Sequence, residues 1–214
     1  MDNKPVRVCI VDDHPIVRRG LKEIISEIPG FMIVGEVDNG KDALRFLNEN
    51  DVDIVTLDIS MPGQSGIDIL EQIMNIYPEI KVLILSMHPE EQYALRAYRN
   101  KAAGYITKDN ITEELTSALV KIAEGHRYVS RSLSEQLIGK IGDDFKQKRY
   151  EKLSNREYQI LVRIASGHSL SEIAGDLSLS IQTVSTYRRR VLDKMNMKND
   201  PELTRYAIQN DLLE

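Results

Sequence analysis

Asp58 closes a short apolar run, Ile54-Val55-Thr56-Leu57, and the acidic pair Asp12-Asp13 closes an earlier one, Val8-Cys9-Ile10-Val11. Carboxylates brought together repel one another, so a cluster of three implies a hard divalent cation among them or one acid held protonated. The spacing favours the cation. Two more residues have the right type and place to join the cluster: Ser86, ending the run 81–86, and Lys108, directly after the run 104–107. A carboxylate nucleophile, a metal held by other carboxylates, a hydroxyl and a lysine together make a phosphoryl-transfer site. Magnesium suits it, because Mg2+ keeps several waters and binds through one or two carboxylates plus phosphate oxygens. Singly, an aspartate before a Met-Pro turn is often a turn former and a lysine is usually solvated. Five suitable residues at the ends of apolar runs are not explained that way.

These residues need a scaffold that gathers strand ends. Apolar runs of this length and β-branched content read as strands covered on both faces, hence as a parallel sheet, whose chemistry lies beyond the carboxyl ends. Strands are expected at 6–11, 31–37, 54–57, 81–86 and 104–107, and amphipathic helices at about 15–28, 41–49, 66–76, 90–100 and 112–124. Five β-then-α repeats predict a doubly wound, flavodoxin-like α/β domain with a five-stranded parallel sheet over residues 1–126. Residues 127–151 read as a linker, in which 131–141 could form one short helix through Leu133, Leu137, Ile138 and Ile141.

Residues 152–214 form a separate all-α domain of four helices. Ser154-Asn155-Arg156-Glu157 and Ser169-Leu170-Ser171-Glu172 are capping boxes. Ser180 can cap a third helix running to about Met195, and Asp200-Pro201 supplies a cap and a first-turn proline for a fourth. Two short helices around a tight turn, the second longer and Arg-rich, make a helix-turn-helix unit. On that longer helix Val184, Val191 and Met195 share an inward face. Gln182, Ser185, Thr186 and Arg189 fall on the outward face and reach toward base edges, while Arg188 and Arg190 flank it and suit phosphates. Three consecutive arginines are ordinarily a solvated patch. Their place after a helix-turn-helix signature makes double-stranded DNA the better reading.

Composition agrees with two soluble modules. Apolar residues make up 42% and charged residues 29% of 214, and no stretch approaches the 18 apolar residues of a membrane span. The N-terminus lacks a signal-peptide core, and the single cysteine, Cys9, excludes an intramolecular disulfide, so a cytoplasmic location without a membrane partner is expected. The net charge of −5 is uneven: residues 1–126 carry 13 Lys+Arg against 21 Asp+Glu, residues 127–150 carry 6 against 3, and residues 151–214 carry 9 against 9. An acidic front half and a neutral back half suggest modules with different partners.

Val11-Asp12-Asp13-His14-Pro15, Leu57-Asp58-Ile59-Ser60-Met61-Pro62-Gly63, Ser86 and Gly104-Tyr105-Ile106-Thr107-Lys108 resemble a two-component receiver domain. Leu153-Ser154-Asn155-Arg156-Glu157, Glu172-Ile173-Ala174, Thr183-Val184 and Asp193-Lys194-Met195 resemble the LuxR-type output domain. The chain is thus similar, over nearly its whole length, to NarL/FixJ-family response regulators. The resemblance implies that Asp58 accepts a phosphoryl group from a sensor histidine kinase. It also implies that Asp13, Asp58 and the Ser60 backbone carbonyl hold Mg2+, with Asp12 reaching it through water. Ser86 and Tyr105 match the switch pair, with Lys108 on the phosphoryl oxygens, and Thr183 joins the DNA contacts. The last helix would supply a dimer contact through Leu203, Tyr206 and Ala207, giving a homodimer when phosphorylated that works on DNA with RNA polymerase.

The implied protein is a transcription regulator and not an enzyme. The family often has lysine at the place of Ser185 and histidine at that of Tyr187, so no target sequence carries over. His14 invites a general-base role, but Pro15 beside it reads as the start of a helix. Two rivals stand beside this reading. A metal-dependent aspartyl phosphatase generally carries nucleophile and acid after one strand and needs no helix-turn-helix. A constitutive DNA-binding protein with a degenerate receiver is opposed by the intact five-residue site.

Overall fold

The structure, a computed structural model, describes residues 4–61, 66–131, 133–135, 149–210 and 212–213. The chain forms two compact units, and the division between them falls within 127–151.

In the first unit β1 (Val6–Val11), β2 (Phe31–Val37), β3 (Ile54–Asp58), β4 (Lys81–Ser86) and β5 (Gly104–Thr107) alternate with α1 (Pro15–Ser26), α2 (Gly40–Glu49), α3 (Gly66–Ile76), α4 (Glu90–Arg99) and α5 (Ile111–Ala123). All pairings are parallel and the sheet order is β2-β1-β3-β4-β5. Successive side chains point to opposite faces. On one face Val8, Ile10, Ile54, Leu83, Leu85 and Ile106 pack with Leu21 and Ile25 of α1 and with Leu115, Ala118, Leu119 and Ile122 of α5. The alternate residues Cys9, Val11, Val55, Leu57, Val82 and Ile84 are equally buried on the other face, where α2, α3 and α4 bury Ala43, Leu47, Leu70, Ile73, Ala94 and Ala97. Strands buried on both sides carry no polar alternation, which is why they read as continuous apolar runs.

Two element ends differ from the sequence reading. Helix α1 stops at Ser26, with Glu27 as its C-cap, because Ile28 precedes Pro29 and a residue before proline is disfavoured in helix. Strand β3 includes Asp58, which still pairs with Leu85. Beyond α5 the chain returns to the sheet edge: Tyr128 bridges Gly104 in parallel, and its N–H donates to the Ala103 carbonyl at 2.8 Å. Arg131 and residues 133–135 are helical. The rest of the helix expected over 131–141, and the polar stretch 142–148, lie outside the described residues.

The second unit opens with a 3-10 turn, Arg149–Lys152, followed by α6 (Asn155–Ala165), α7 (Leu170–Asp176), α8 (Ile181–Met195) and α9 (Asp200–Gln209). Ser154 and Ser169 form the two capping boxes with Glu157 and Glu172, and Ser180 caps α8 by accepting from the Thr183 amide at 3.1 Å. Ser178 turns the chain between α7 and α8 in the left-handed region, φ 52°. The cap of α9 is Asn199 and not Asp200: Asn199 Oδ1 accepts from the Glu202 amide at 3.1 Å. Asp200 is thereby the first helical residue and its carboxylate is left for another partner. The core gathers Ile160, Leu161, Ile173, Val184, Val191, Met195, Leu203 and Ala207. Among the described residues no helix is long and apolar enough to cross a membrane.

Candidate functional site

Strand register alone assembles the first site. Val11 pairs with Leu57, Leu57 with Ile84, and Ile84 with Tyr105, so the carboxyl ends of four strands lie level. One step further along are Asp12 and Asp58. Ser86 pairs with Thr107, and Lys108 is the next residue. The order β2-β1-β3 places the reversal of winding between β1 and β3, the crevice where open α/β sheets take their ligands. Asp12, Asp13 and Asp58 stand at its mouth. Gly66 fixes the loop after β3: a Cβ there would lie 2.3 Å from the Asp58 carbonyl oxygen and 2.4 Å from Ile59 Cα, so any side chain would displace the Asp58 backbone.

Asp12 and Asp58 are fully buried, and Lys108 Nζ lies 2.7 Å from Oδ2 of each. Asp58 Oδ1 accepts from the Ser60 amide at 2.9 Å, and Asp12 Oδ1 from the His14 amide at 2.8 Å. Asp13 stands at the rim, its Oδ1 2.9 Å from His14 Nδ1. Burial pushes the Asp58 carboxyl above the usual carboxylate range, and Asp12 adds to the rise; Lys108 and the Ser60 amide act against it. Burial alone would lower Lys108, but Asp58 and Asp12 outweigh it and hold the ammonium charged. One ammonium cannot balance three carboxylates, so the pocket retains an attraction for a further cation.

The residues present fit Mg2+. Ligand atoms of Asp12, Asp13, His14 and Asp58 all lie within 4.8 Å of one another, against about 4.2 Å between opposite ligands of an ion with Mg2+ bond lengths. Asp13 Oδ1 is buried, and among the described residues His14 Nδ1 is near it without a hydrogen bond of good geometry. Hard carboxylate oxygens are the donors this ion prefers.

Ser86 and Tyr105 meet at one residue. Ser86 Oγ accepts from the His88 amide at 2.9 Å, and the Tyr105 hydroxyl donates to the His88 carbonyl at 2.8 Å. The His88 ring stacks on Tyr93, centroids 4.7 Å apart. Both Ser86 and Tyr105 are fully buried, and burial holds the phenol well above its usual range.

In the second unit Gln182, Ser185, Thr186, Arg189 and Arg190 of α8 are exposed, while Val184, Val191 and Met195 are buried. Thr183 is half-buried beside the Ser180 hydroxyl, 2.8 Å away. Arg188 is also half-buried, and its Nε donates to both carboxylate oxygens of Asp200 at 2.8 and 3.0 Å. The Arg190 guanidinium lies 5.7 Å from the centre of the Tyr187 ring.

The last helix requires a correction. Leu203 and Ala207 are fully buried in the unit's own core and have no surface to offer a second copy; Tyr206 is half-buried. Core and dimer stripes have the same helical spacing, so sequence alone could not separate them. The exposed residues of the helix are Pro201, Arg205, Ile208 and Gln209, with Ile208 60% exposed.

Some participants carried no sequence signal. Arg18 Nη1 donates to the Asp12 carbonyl at 2.6 Å, and His88 joins Ser86 to Tyr105 through its backbone amide and carbonyl. The support Gly66 gives the Asp58 backbone also leaves no mark in sequence spacing.

Residues 8–120 match the response regulator receiver domain family, and residues 151–207 match the luxR family of bacterial regulatory proteins. The response regulator UvrY of Escherichia coli K12 is 35% identical over 208 residues, 97% of this chain and 95% of that one. The response regulator GacA of Pseudomonas aeruginosa is 33% identical over 210 residues, 98% of each chain. RcsB of Salmonella enterica serovar Typhimurium, solved bound to the promoter rprA in the presence of the phosphomimetic BeF3−, is 27% identical with a TM-score of 0.65, over 94% of this chain and 98% of that one. The level strand ends, the buried aspartates bridged by lysine and the capped helix-turn-helix are thus read together with two matched families, and the chain belongs to the two-component response regulators of the NarL/FixJ family, a receiver domain followed by a LuxR-type output domain.

Proposed function

We propose that this chain is a cytoplasmic transcription regulator whose DNA affinity is set by phosphorylation of Asp58, with residues 1–126 as the receiver and 152–214 as the DNA-binding domain. The observation that carries the proposal is the buried Asp58 carboxylate, held at Oδ1 by the Ser60 amide and at Oδ2 by Lys108. Such a carboxylate is oriented and accessible only from the mouth of the crevice. A carboxylate oxygen attacks phosphorus as the P–N bond of a sensor kinase's phosphohistidine breaks, and the imidazole leaves with the electron pair. Asp13, Asp58 and the Ser60 carbonyl, with Asp12 beside them, would hold Mg2+, which when bound would neutralise charge on the incoming phosphoryl oxygens. Lys108 follows those oxygens and keeps its charge throughout.

The new oxygens attract the Ser86 hydroxyl. Moving it frees the His88 amide, and with it the segment that Tyr105 holds by the His88 carbonyl, so that the start of α4 changes conformation. In the output domain Arg189 and the neighbouring Gln182, Ser185 and Thr186 face base edges, with Thr183 beside them. Arg190 faces phosphate, and Arg188 is shared between phosphate and Asp200. A homodimer formed on phosphorylation through the Pro201–Arg205–Ile208 face would match two-fold related half-sites and present the regulator to RNA polymerase. RcsB, solved bound to a promoter in the presence of a phosphomimetic, supports DNA binding by this chain. Because nucleophile and metal acids sit on separate strands, the chain serves as a phosphorylated switch and not as a phosphatase of esters.

The test is chemical. Incubation with a small acyl phosphate and Mg2+ should add one acid-labile phosphate, which Asp58→Asn abolishes and a chelator suppresses. Undiminished labelling of Asp58→Asn would place the acceptor elsewhere.

A further inference from the structure

His14 stands among the carboxylates without a part in that scheme. Its Nδ1 lies 2.9 Å from Asp13 Oδ1 and 3.5 Å from Asp12 Oδ1. Adjacent ligands of an octahedral ion with bonds of 2.0–2.1 Å are about 2.9 Å apart, so the imidazole occupies a place suited to one edge of a coordination shell. His14 is also the N-cap residue of α1, with extended backbone (φ −88°, ψ 112°), yet its side chain makes no cap hydrogen bond. Pro15 follows at the first helical position, where its missing N–H costs nothing because that amide has no partner within a helix. The ring is therefore free of the usual duty of its position and is turned toward two acids, although its side chain is 61% exposed. Asp12, wholly buried beneath it, is paired through its Oδ2 with Lys108 Nζ at 2.7 Å.

We propose that His14 Nδ1 is a ligand of the cation site, making it a mixed nitrogen and oxygen site that takes a first-row divalent transition ion such as Co2+ in preference to Mg2+. The proposal rests on the cation-site reading given above. Carboxylates alone suit Mg2+, whereas one imidazole among carboxylates favours borderline ions that gain from nitrogen donation. In the bound form the neutral ring carries its proton on Nε2 and replaces one water of the shell, so the net charge of the site is unchanged. The only thiol does not compete, since Cys9 is buried within β1 and burial pushes it up to about 12.

Equilibrium dialysis of the untagged full chain against Co2+, and separately against Mg2+, tests the assignment with His14→Ala and Asp13→Asn; the visible bands of Co2+ give a second readout. His14 is exposed enough for its replacement to leave the fold intact. Expected is a loss of about tenfold or more in Co2+ affinity for His14→Ala, with altered Co2+ bands and Mg2+ affinity within about twofold of the parent. Asp13→Asn should weaken both ions. If His14→Ala leaves Co2+ binding unchanged, or weakens both ions equally, His14 is not a ligand, and the cation site still stands on the Asp13→Asn result. If Asp13→Asn leaves both ions bound as before, the cation site itself falls, and the proposal with it.

Discussion

As the proposed phosphoacceptor, Asp58 combines two demands that oppose each other at the level of a single residue. A nucleophile must be ionised, and burial next to Asp12 resists ionisation. Lys108 reconciles them by bridging both acids, and an incoming cation completes the balance. The sign of the pH dependence follows. A carboxyl raised in the folded state binds its proton more tightly there than in the unfolded chain. Its contribution to stability is therefore fully present below the ordinary aspartate value and is lost as pH rises through the raised one. Without metal, Asp58→Asn should gain stability over the parent, and the gain should grow with pH across that window, read from urea unfolding at several pH values with chelator present. A gain independent of pH would mean that Asp58 is not the strained acid. Asp12, Asp13, Asp58, Ser86 and Lys108 were all legible in sequence because each ends or follows an apolar run. The ion triad was not, since nothing in spacing says that Lys108 reaches both acids at once.

At the scale of elements, helix termini were the most readable feature. Serines three residues before glutamates marked both capping boxes, because the motif satisfies two orphan amides within four residues. Asn199 was overlooked in favour of Asp200, as adjacent Asn and Asp are equally good caps and only the backbone decides between them. Leu203, Tyr206 and Ala207 show the same ambiguity: one stripe has the spacing of a dimer contact and of a core, and Leu203 and Ala207 fill the chain's own core. Glu157 makes a prediction here. Burial would raise its pKa, but Lys194 Nζ at 2.6 Å and the Ser154 cap together hold it below the ordinary glutamate value of 4.5. Its stabilisation is present above that value and lost as pH falls through the lower folded one. Glu157→Gln should cost about 1 kcal/mol at neutral pH, and the cost should vanish in acid, as measured by thermal unfolding of the second unit. An undiminished cost in acid would assign the effect to packing and not to charge.

For the whole molecule the question is how charge at Asp58 becomes affinity for DNA. Arg189 and Arg190 are exposed on α8, while Arg188 is already paired with Asp200. Arg189→Ala should lose ~1–3 kcal/mol on a specific site and relax preference at one base position. Arg190→Ala should weaken specific and random DNA alike and flatten the log–log salt dependence by about one unit, because one fewer counterion is released. Titrations on both DNAs across a salt series separate the two, and equal losses for Arg189→Ala would give the base reading to Ser185 or Thr186. The arginine run reads as a DNA interface only from its place in the motif, and Arg188's partner comes from another helix and leaves no trace in spacing. The most direct measurement is promoter-fragment affinity of the full chain with and without acyl phosphate and Mg2+, for the parent and Asp58→Asn. The parent should bind more tightly after treatment and Asp58→Asn should not change; an equal rise in both, or none in a fully labelled parent, would contradict control of the output domain by Asp58.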